Sequence, residues 1–237
     1  MQTDAFIQSD PLSIPKNFKK KQDIEITALW IAVLSWGNRK SIINSGQKLL
    51  GLLQWEPHDF ILHHTESDKK AFLAFKHRTF QPLDALYFLD FFQWYYSKHE
   101  SLETAFFPQK RFPGRNTKKA LEDFHKLFFS LDHAPQRTRK HIATPERKSS
   151  CKRLNMFLRW MVRRKGVDFG LWRRASPAQL VVPLDVHVHR TALKMGLMER
   201  KIPDWRAAEE LTAVLKSWRP RDPVFYDYGL FALGNEA

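Results

Sequence analysis

The sequence contains a single cysteine, Cys151, among its 237 residues. One thiol cannot form a disulfide within the chain, and it cannot supply the ligands of a four-cysteine zinc site or of an iron–sulfur cluster. Histidines are more frequent, but the HExxH motif is missing. His187 and His189 would point in different directions on a helix and could not easily share a metal ion. The residues therefore predict no metal site.

Other motifs of catalysis and cofactor binding are also missing. The chain has no GxGxxG and no Walker sequence, which removes the usual loops that hold the phosphates of a nucleotide cofactor. It has no GxSxG, so hydrolysis by a Ser-His-Asp triad has no support. We therefore expect a protein that works without a cofactor.

Long apolar runs are absent as well. No window approaches the roughly 18 uncharged apolar residues of a membrane span, and the N-terminal stretch lacks the apolar core of about 7 to 15 residues found in signal peptides. These absences predict a cytoplasmic protein with no membrane partner.

Positive charge is what the chain has in excess. Its 39 Lys and Arg residues against 25 Asp and Glu residues give a net charge of +14, which indicates a polyanionic partner. One basic cluster contains Arg137, Arg139, Lys140, Arg147, Lys148, Lys152 and Arg153, and a second contains Lys110, Arg111, Arg115, Lys118 and Lys119. Each cluster could neutralise phosphates, or it could be a solvated surface without a partner. Ser149 and Ser150 precede a predicted helix, where they could bind a phosphate oxygen or only cap the helix.

The apolar residues recur with helical spacing and glycines number only nine, so we expect an all-α fold. Residues 85–96 are apolar almost all round and predict a central buried helix. Two helices are expected to meet at the turn Gly37-Asn38-Arg39. Loose chain is expected only for residues 1–22 and for the loop from Pro108 to Thr117.

The segment VVPLDVHVHRTALKMGL carries the most specific signal. Asp185 follows an apolar stretch and precedes a predicted helix that ends at Gly196. Taken alone, Asp185 is a helix cap. In sequence, however, this segment resembles the aspartate-bearing segment of the helix-hairpin-helix DNA glycosylase superfamily. The matching residues are Asp185, Val186, His187 and Arg190. Upstream, Lys152 stands five residues before Phe157-Leu158-Arg159, as the Schiff-base lysine does in archaeal-type 8-oxoguanine glycosylases.

The resemblance extends from about Asp23 to Gly234 when the chain is compared with the bacterial family called domain of unknown function 2400, a distant relative of that superfamily. The segments that carry it are CKRLNMFLRWMVR, GVDFGLW, PLDVHVHR and DPVFYDYGLFALG. It implies a two-lobed helix-hairpin-helix fold with a central cleft. We expect a flexible arm at residues 1–22, a helical-barrel lobe at about 50–165, and a second lobe formed by about 23–49 and 166–237.

The same resemblance implies a function, namely excision of a damaged, oxidised base from duplex DNA, with or without strand cleavage. Lys152 would be the nucleophile and Asp185 its ionised partner, and like charge with desolvation would favour the neutral amine. DNA would contact Arg147, Lys148, Ser149, Ser150, His187 and Arg190, while Asn38 and Arg39 would fill the space of the flipped base. The protein would be a monomer that associates with the bacterial nucleoid.

Two features depart from the glycosylase pattern. Lys152 and Asp185 lie 33 positions apart, which is a longer separation than in the glycosylases, and the glycine-rich hairpin before the lysine is replaced by Pro145-Glu146-Arg147-Lys148-Ser149-Ser150. Alternatives stay open: Lys152 could lie on a solvated polar face with Arg159 and Arg163. The whole chain could be a non-catalytic DNA- or RNA-binding module, or a structural protein that contacts ribosomal RNA or acidic proteins.

Overall fold

A computed structural model describes residues 10–235, and the regular structure in this range is helical except for an isolated antiparallel bridge between His77 and Phe80. The α-helices of this range are α1 Lys21–Leu34, α2 Arg39–Leu52, α3 Pro57–His63, α4 Glu66–Lys69, α5 Pro82–Tyr96, α6 Glu103–Phe106, α7 Lys118–Phe128, α8 Lys152–Val162, α9 Val186–Lys194, α10 Trp205–Trp218 and α11 Asp227–Asn235. Short 3-10 helices occupy Pro11–Ser13, Pro15–Asn17, Lys70–Ala74, Gln136–Lys140, Pro145–Arg147, Pro177–Gln179 and Pro223–Tyr226. The prediction of an all-α fold is confirmed for these residues.

The chain divides into two compact units. The first unit contains Met1–Ala105, described from residue 10 onward, and Lys126–Ile142. The second contains Phe106–His125 and Ala143–Ala237, described as far as residue 235. This division joins residues 23–49 to the chain that follows them, whereas the predicted lobes separate the two. No helix within residues 10–235 has both the length and the apolar character needed to cross a bilayer.

The N-terminal chain is ordered from residue 10, although the sequence led us to expect a flexible arm up to residue 22. Residues 1–9 of that arm lie outside the described residues. Asp10 caps the first 3-10 helix by accepting the Leu12 N–H at 2.9 Å, and a proline begins each of the two turns. Leu12 and Ile14 are fully buried in the unit. Proline fixes φ for such turns, and the burial of two apolar side chains stabilises the segment.

In the first unit, α1 forms the centre of the apolar core. Every residue from Ile24 to Leu34 is buried, which explains why its sequence is apolar all round. Helices α2 and α3 pack against α1. At the contact with α2, a Cβ atom on Gly46 would lie 2.8 Å from Ile31 Cδ1, so glycine permits the close approach of the two helices.

Helix α5, also in the first unit, is the buried helix that the sequence predicts at residues 85–96. It begins earlier, at Pro82, because Gln81 and Asp84 form a capping box there. Asp84 is fully buried and accepts hydrogen bonds from the Gln81 backbone at 2.7 Å and from Thr138 Oγ1 at 2.7 Å. Arg137 pairs with the same carboxylate. The N-terminal end of α5 is therefore fixed by residues from a distant part of the chain.

The second unit is built around a cluster of aromatic rings. Phe106 stacks on Phe124 with ring centroids 3.8 Å apart, and Trp172 contacts both Phe106 and Phe157 at 5.5 and 5.2 Å. The chain after α8 folds back along that helix, since the Phe169 and Trp172 N–H groups donate to α8 carbonyls at 2.9 and 2.8 Å. Helix α9 packs against α11.

The loop from Pro108 to Thr117, expected to be loose, is attached to residues 173–179 of the same unit. The Phe112 N–H donates to the Arg174 carbonyl at 2.7 Å, and Gln179 Nε2 donates to the Phe112 and Gly114 carbonyls at 3.1 and 2.5 Å. These hydrogen bonds join residues about 60 positions apart, so local sequence patterns give no sign of them.

Candidate functional site

Lys152 is the first residue of α8, and the chain reaches it through an unusual turn. Lys148 and Cys151 both adopt left-handed backbone conformations, with φ of 59° and 53°. Non-glycine residues occupy this region at a cost of about 1 kcal/mol each. Ser149 Oγ accepts the Cys151 N–H at 3.1 Å, which stabilises the turn. The turn has two positions that suit glycine, although glycine is absent from it.

Asp185 stands at the start of α9 and caps this helix as the sequence predicts. Its Oδ1 accepts the Val188 N–H at 2.9 Å. The preceding residues, from Leu180 to Leu184, are buried and fix the direction from which the chain enters α9. Ser150 Oγ donates to the Leu184 carbonyl at 2.9 Å, and this hydrogen bond connects the start of α8 directly to the start of α9.

The two helix starts place Lys152 and Asp185 together. The distance from Lys152 Nζ to Asp185 Oδ2 is 3.9 Å, and the side chains are 26% and 20% exposed. Asp185 uses its other oxygen for the cap, so one carboxylate serves both contacts. The site therefore offers solvent an amine beside a carboxylate, held by two helices and by the Ser150 hydrogen bond.

A second carboxylate, Asp227, is bound to Arg159 further along α8, and the sequence analysis did not identify it. Burial raises the pKa of Asp227, whereas the positive charges of Arg159 and Lys152 lower it. Arg159 donates to Asp227 and contacts the ring of Tyr228 at 4.0 Å. Asp227 lies in the segment DPVFYDYGLFALG, which the sequence analysis singled out. The order of residues in that segment does not show whether its aspartates are buried or exposed.

The alternative that Lys152 shares a solvated polar face with Arg159 and Arg163 is wrong. Both arginines are buried, at 2% and 5% exposure. Asp168 binds both guanidinium groups, and Asp222 accepts from Arg163 Nε at 3.0 and 3.1 Å. Asp222 precedes the 3-10 helix Pro223–Tyr226, but its side chain binds Arg163 and makes no capping hydrogen bond. Lys152 is thus partly exposed at the start of α8, whereas Arg159, further along the helix, and Arg163, just after it, are buried in ion pairs.

Most of the residues predicted to contact DNA lie in the turn before α8 or on α9, the elements that carry the pair. Arg147 and Lys148 are exposed in the turn before α8, and His187 and Arg190 are exposed on one face of α9. Ser149 and Ser150 are half-buried. Because Ser150 already donates its hydroxyl proton to Leu184, Ser149 is the serine with a proton to offer a phosphate.

Asn38 and Arg39 belong to the first unit, whereas Lys152 and Asp185 belong to the second. Asn38 caps α2 by accepting the Ser41 N–H at 3.3 Å, after Gly37 turns the chain with φ of 96°. A role for these two residues in filling the space of a flipped base stays a prediction.

Metal ligands do not gather anywhere in the described part of the chain, where no group of three or more His, Cys, Asp or Glu side chains could hold an ion. His187 is exposed on α9, and His189 is buried with its Nε2 at 2.9 Å from the Arg200 carbonyl. The two histidines face different surroundings, so they do not form a common site.

Comparison with family models gives one match, to Protein of unknown function (DUF2400), over residues 10–236. The chain belongs to this family. No curated protein and no solved structure matches the DUF2400 chain. The family match covers both units, and it includes Lys152, Asp185 and Asp227.

Proposed function

We propose that this DUF2400 protein excises a damaged base from duplex DNA, with Lys152 as the nucleophile. The observation that carries the proposal is the distance of 3.9 Å between Lys152 Nζ and Asp185 Oδ2 at two partly exposed helix starts. An exposed ion pair contributes only about 0 to 1 kcal/mol to stability. Stabilisation of the fold therefore does not explain why the lysine and the aspartate lie together. A lysine amine beside carboxylates is the arrangement that covalent base excision requires.

In the proposed reaction, the Lys152 ammonium first gives a proton to solvent while Asp185 stays ionised, and the neutral amine forms a bond to C1′ of the target nucleotide. The N-glycosidic bond breaks, its electron pair stays on the base nitrogen, and the proton released by the amine neutralises the departing base. The C1′–O4′ bond then opens while O4′ takes up a proton, which leaves a protonated imine between Lys152 and the sugar. Loss of a C2′ proton would expel the 3′ phosphate and cleave the strand.

The carboxylates have distinct roles in this proposal. Positive charge develops on the sugar as the base leaves, and a fixed negative charge at Asp185 stabilises it. Asp227 is buried and bound by Arg159, so we assign it a positioning role: it keeps the polar stripe of α8 in place beneath Lys152. Arg147, Lys148 and Arg190 are exposed around the pair and supply positive charge for the DNA backbone.

Borohydride trapping tests the proposal. A duplex with one abasic site probes the amine without knowledge of the lesion, because hydride delivered to C1′ converts the imine into a stable secondary amine. We expect a covalent adduct with the wild-type protein and none with Lys152→Gln. Lys201→Gln is the matched control, since Lys201 is an exposed lysine of the same unit, and it should form the adduct normally.

A set of duplexes with one modified base each, treated in the same way, would then name the substrate. If Lys152→Gln still forms the adduct, Lys152 is not the nucleophile. If the wild-type protein forms no adduct with any duplex but still binds DNA, the chain is a non-catalytic binding module and the proposal is wrong.

A further inference from the structure

The second unit contains a large basic cavity that no part of the proposed reaction uses. Its volume is about 1390 Å³. Half of its lining residues are Lys or Arg, and Asp222 is the one acidic residue among them. The exposed basic residues of the lining are Lys110, Arg111, Arg164, Lys165, Arg173 and Arg221.

The positive charge of this cavity is not neutralised by Asp222. Both oxygens of that carboxylate accept from Arg163 Nε, at 3.0 and 3.1 Å. Among the described residues, Lys110, Arg111, Lys165 and Arg221 form no ion pair with a carboxylate, so their charges remain available to an anion.

The walls of the cavity are fixed by the fold. The loop that carries Lys110 and Arg111 is attached to residues 173–179 through the hydrogen bonds of Phe112 and Gln179 described above. Behind Arg164, Gly170 has φ of 57°, and a Cβ atom there would lie 2.7 Å from the Arg164 backbone. Glycine at this position therefore permits the chain after α8 to pass close to Arg164, which lines the cavity.

The cavity is separate from the candidate active site. Lys152 begins α8, and Arg163 follows its last residue. Because an α-helix rises about 1.5 Å per residue, the two ends are roughly 16 Å apart. A ligand in the cavity therefore lies at the other end of α8 from Lys152.

The size and the lining of the cavity indicate the class of ligand. Pockets for small molecules are mainly apolar and measure about 300 to 1,000 Å³, so this cavity is both larger and more basic than such pockets. Trp218 lines it and is 53% exposed, with Tyr226 edge-to-face at 5.6 Å on one side. Basic grooves with an exposed aromatic ring bind single-stranded nucleic acid, since phosphates pair with the cations and a base stacks on the ring.

We infer that this cavity binds a single-stranded segment of nucleic acid, with phosphates against Lys110, Arg111, Lys165 and Arg221 and one unpaired base on Trp218. The inference does not depend on the chemistry proposed for Lys152. It assigns the second unit a strand-binding surface in addition to the residues around α9.

The test measures binding of a fluorescein-labelled thymidine 12-mer by anisotropy at several salt concentrations. Arg111→Gln/Arg221→Gln removes two cations from the cavity. Each lost phosphate contact lowers the slope of log K against log salt by about 0.7 for a single strand, so we expect a slope smaller by about 1.4 and binding roughly 25-fold weaker at 0.1 M salt. The control Lys201→Gln/Arg206→Gln removes two exposed cations of the same unit outside the cavity and should have little effect.

Trp218→Leu tests the stacked base and should weaken binding of the 12-mer by at least about fivefold, without a change in the salt slope. If the double variant binds like the control, the cavity does not hold the strand. If the double variant loses affinity but Trp218→Leu does not, or if inorganic polyphosphate binds as tightly as the 12-mer, the cavity is a general anion site and the inference is wrong. The 12-mer carries neither a damaged base nor an abasic site, so this binding measurement does not depend on the excision chemistry, and failure of one proposal is distinguishable from failure of the other.

Discussion

Arg159 and Asp227 form a buried ion pair in the second unit, and Tyr228 lies against the Arg159 guanidinium. The same arginine also binds Asp168, at 3.0 Å. Arg159 thus pairs with two carboxylates, of which Asp168 also binds Arg163. Through Arg159, α8 is connected to the start of α11. Arg159 lies two turns after Lys152 on the same face of α8. We therefore expect loss of the ion pair to disturb the helix that carries Lys152.

Loss of one partner from this buried pair should be strongly destabilising. Arg159→Met leaves Asp227 without its paired arginine and leaves Asp168 with Arg163 alone. Removal of one member of a buried ion pair costs about 3 to 5 kcal/mol. Urea unfolding followed by circular dichroism would measure the change. Lys201→Gln, at an exposed position, should change the unfolding free energy by less than about 0.5 kcal/mol. A loss below 1 kcal/mol for Arg159→Met would contradict the buried network.

Substitution of Asp185 separates its capping role from its role beside Lys152. Asn caps a helix about as well as Asp, so Asp185→Asn should keep nearly the wild-type stability, while Asp185→Ala should lose about 1 kcal/mol. Both variants lack the negative charge, so both should form the borohydride adduct much more slowly. Thermal melts would measure the effect on stability. The yield of adduct on the abasic duplex would measure the effect on the reaction. Full adduct formation by Asp185→Asn would show that Asp185 is a helix cap only.

Acid stability should depend on Asp84. Burial raises its pKa, but hydrogen bonds from His141, the Gln81 backbone and Thr138 outweigh burial and lower the pKa to about 2. In the unfolded chain the group titrates near its ordinary value, so its contribution is complete above about pH 4 and is lost as the pH falls toward 2.

The expected loss over that interval is about 2 kcal/mol, because one unit of pKa corresponds to about 1.4 kcal/mol. Urea unfolding at pH 5, 4, 3 and 2 would measure it. Asp84→Asn should be less stable at pH 5 and should show a flatter pH dependence. The same slope in the wild-type protein and in this variant would exclude Asp84 as its source.

Cys151 should be unreactive in the folded protein despite its position beside Lys152. Burial raises the pKa of the thiol to about 12, an effect that the Ser149 hydrogen bond only partly opposes. The reactive thiolate is therefore scarce at pH 8. Ellman's reagent should react slowly with the native protein and rapidly in 8 M urea. Rapid reaction under native conditions would mean that the turn before α8 opens readily.

The sequence predicts the helices well where a capping residue and an apolar stripe coincide. Asp185 caps α9 as predicted, and Asp204 stands at the start of α10 with the same kind of capping hydrogen bond. The position of Lys152 at the start of a helix also agrees with the prediction. These features depend on short patterns, which is why they can be recognised without a structure. The pairing of Lys152 with Asp185 was expected only from the resemblance to the glycosylases, because no local pattern joins residues 33 positions apart.

The buried network and the basic cavity could not be predicted in this way. Arg159 and Arg163 have the spacing of a polar helix face, and only their distant partners Asp222 and Asp227 make them buried. The cavity takes its lining from four separate segments of the chain. Trp218 was also missed, because a tryptophan at the end of an amphipathic helix usually belongs to the core.

The left-handed turn at Lys148 and Cys151 has a consequence for protein engineering. A designer who optimised this chain for thermal stability alone would place glycine at both positions, since glycine adopts these angles without a steric penalty. The Lys148 change would also erase a positive charge from the approach to Lys152. In this loop, the most stable sequence and the sequence best suited to attract a phosphate backbone are different sequences.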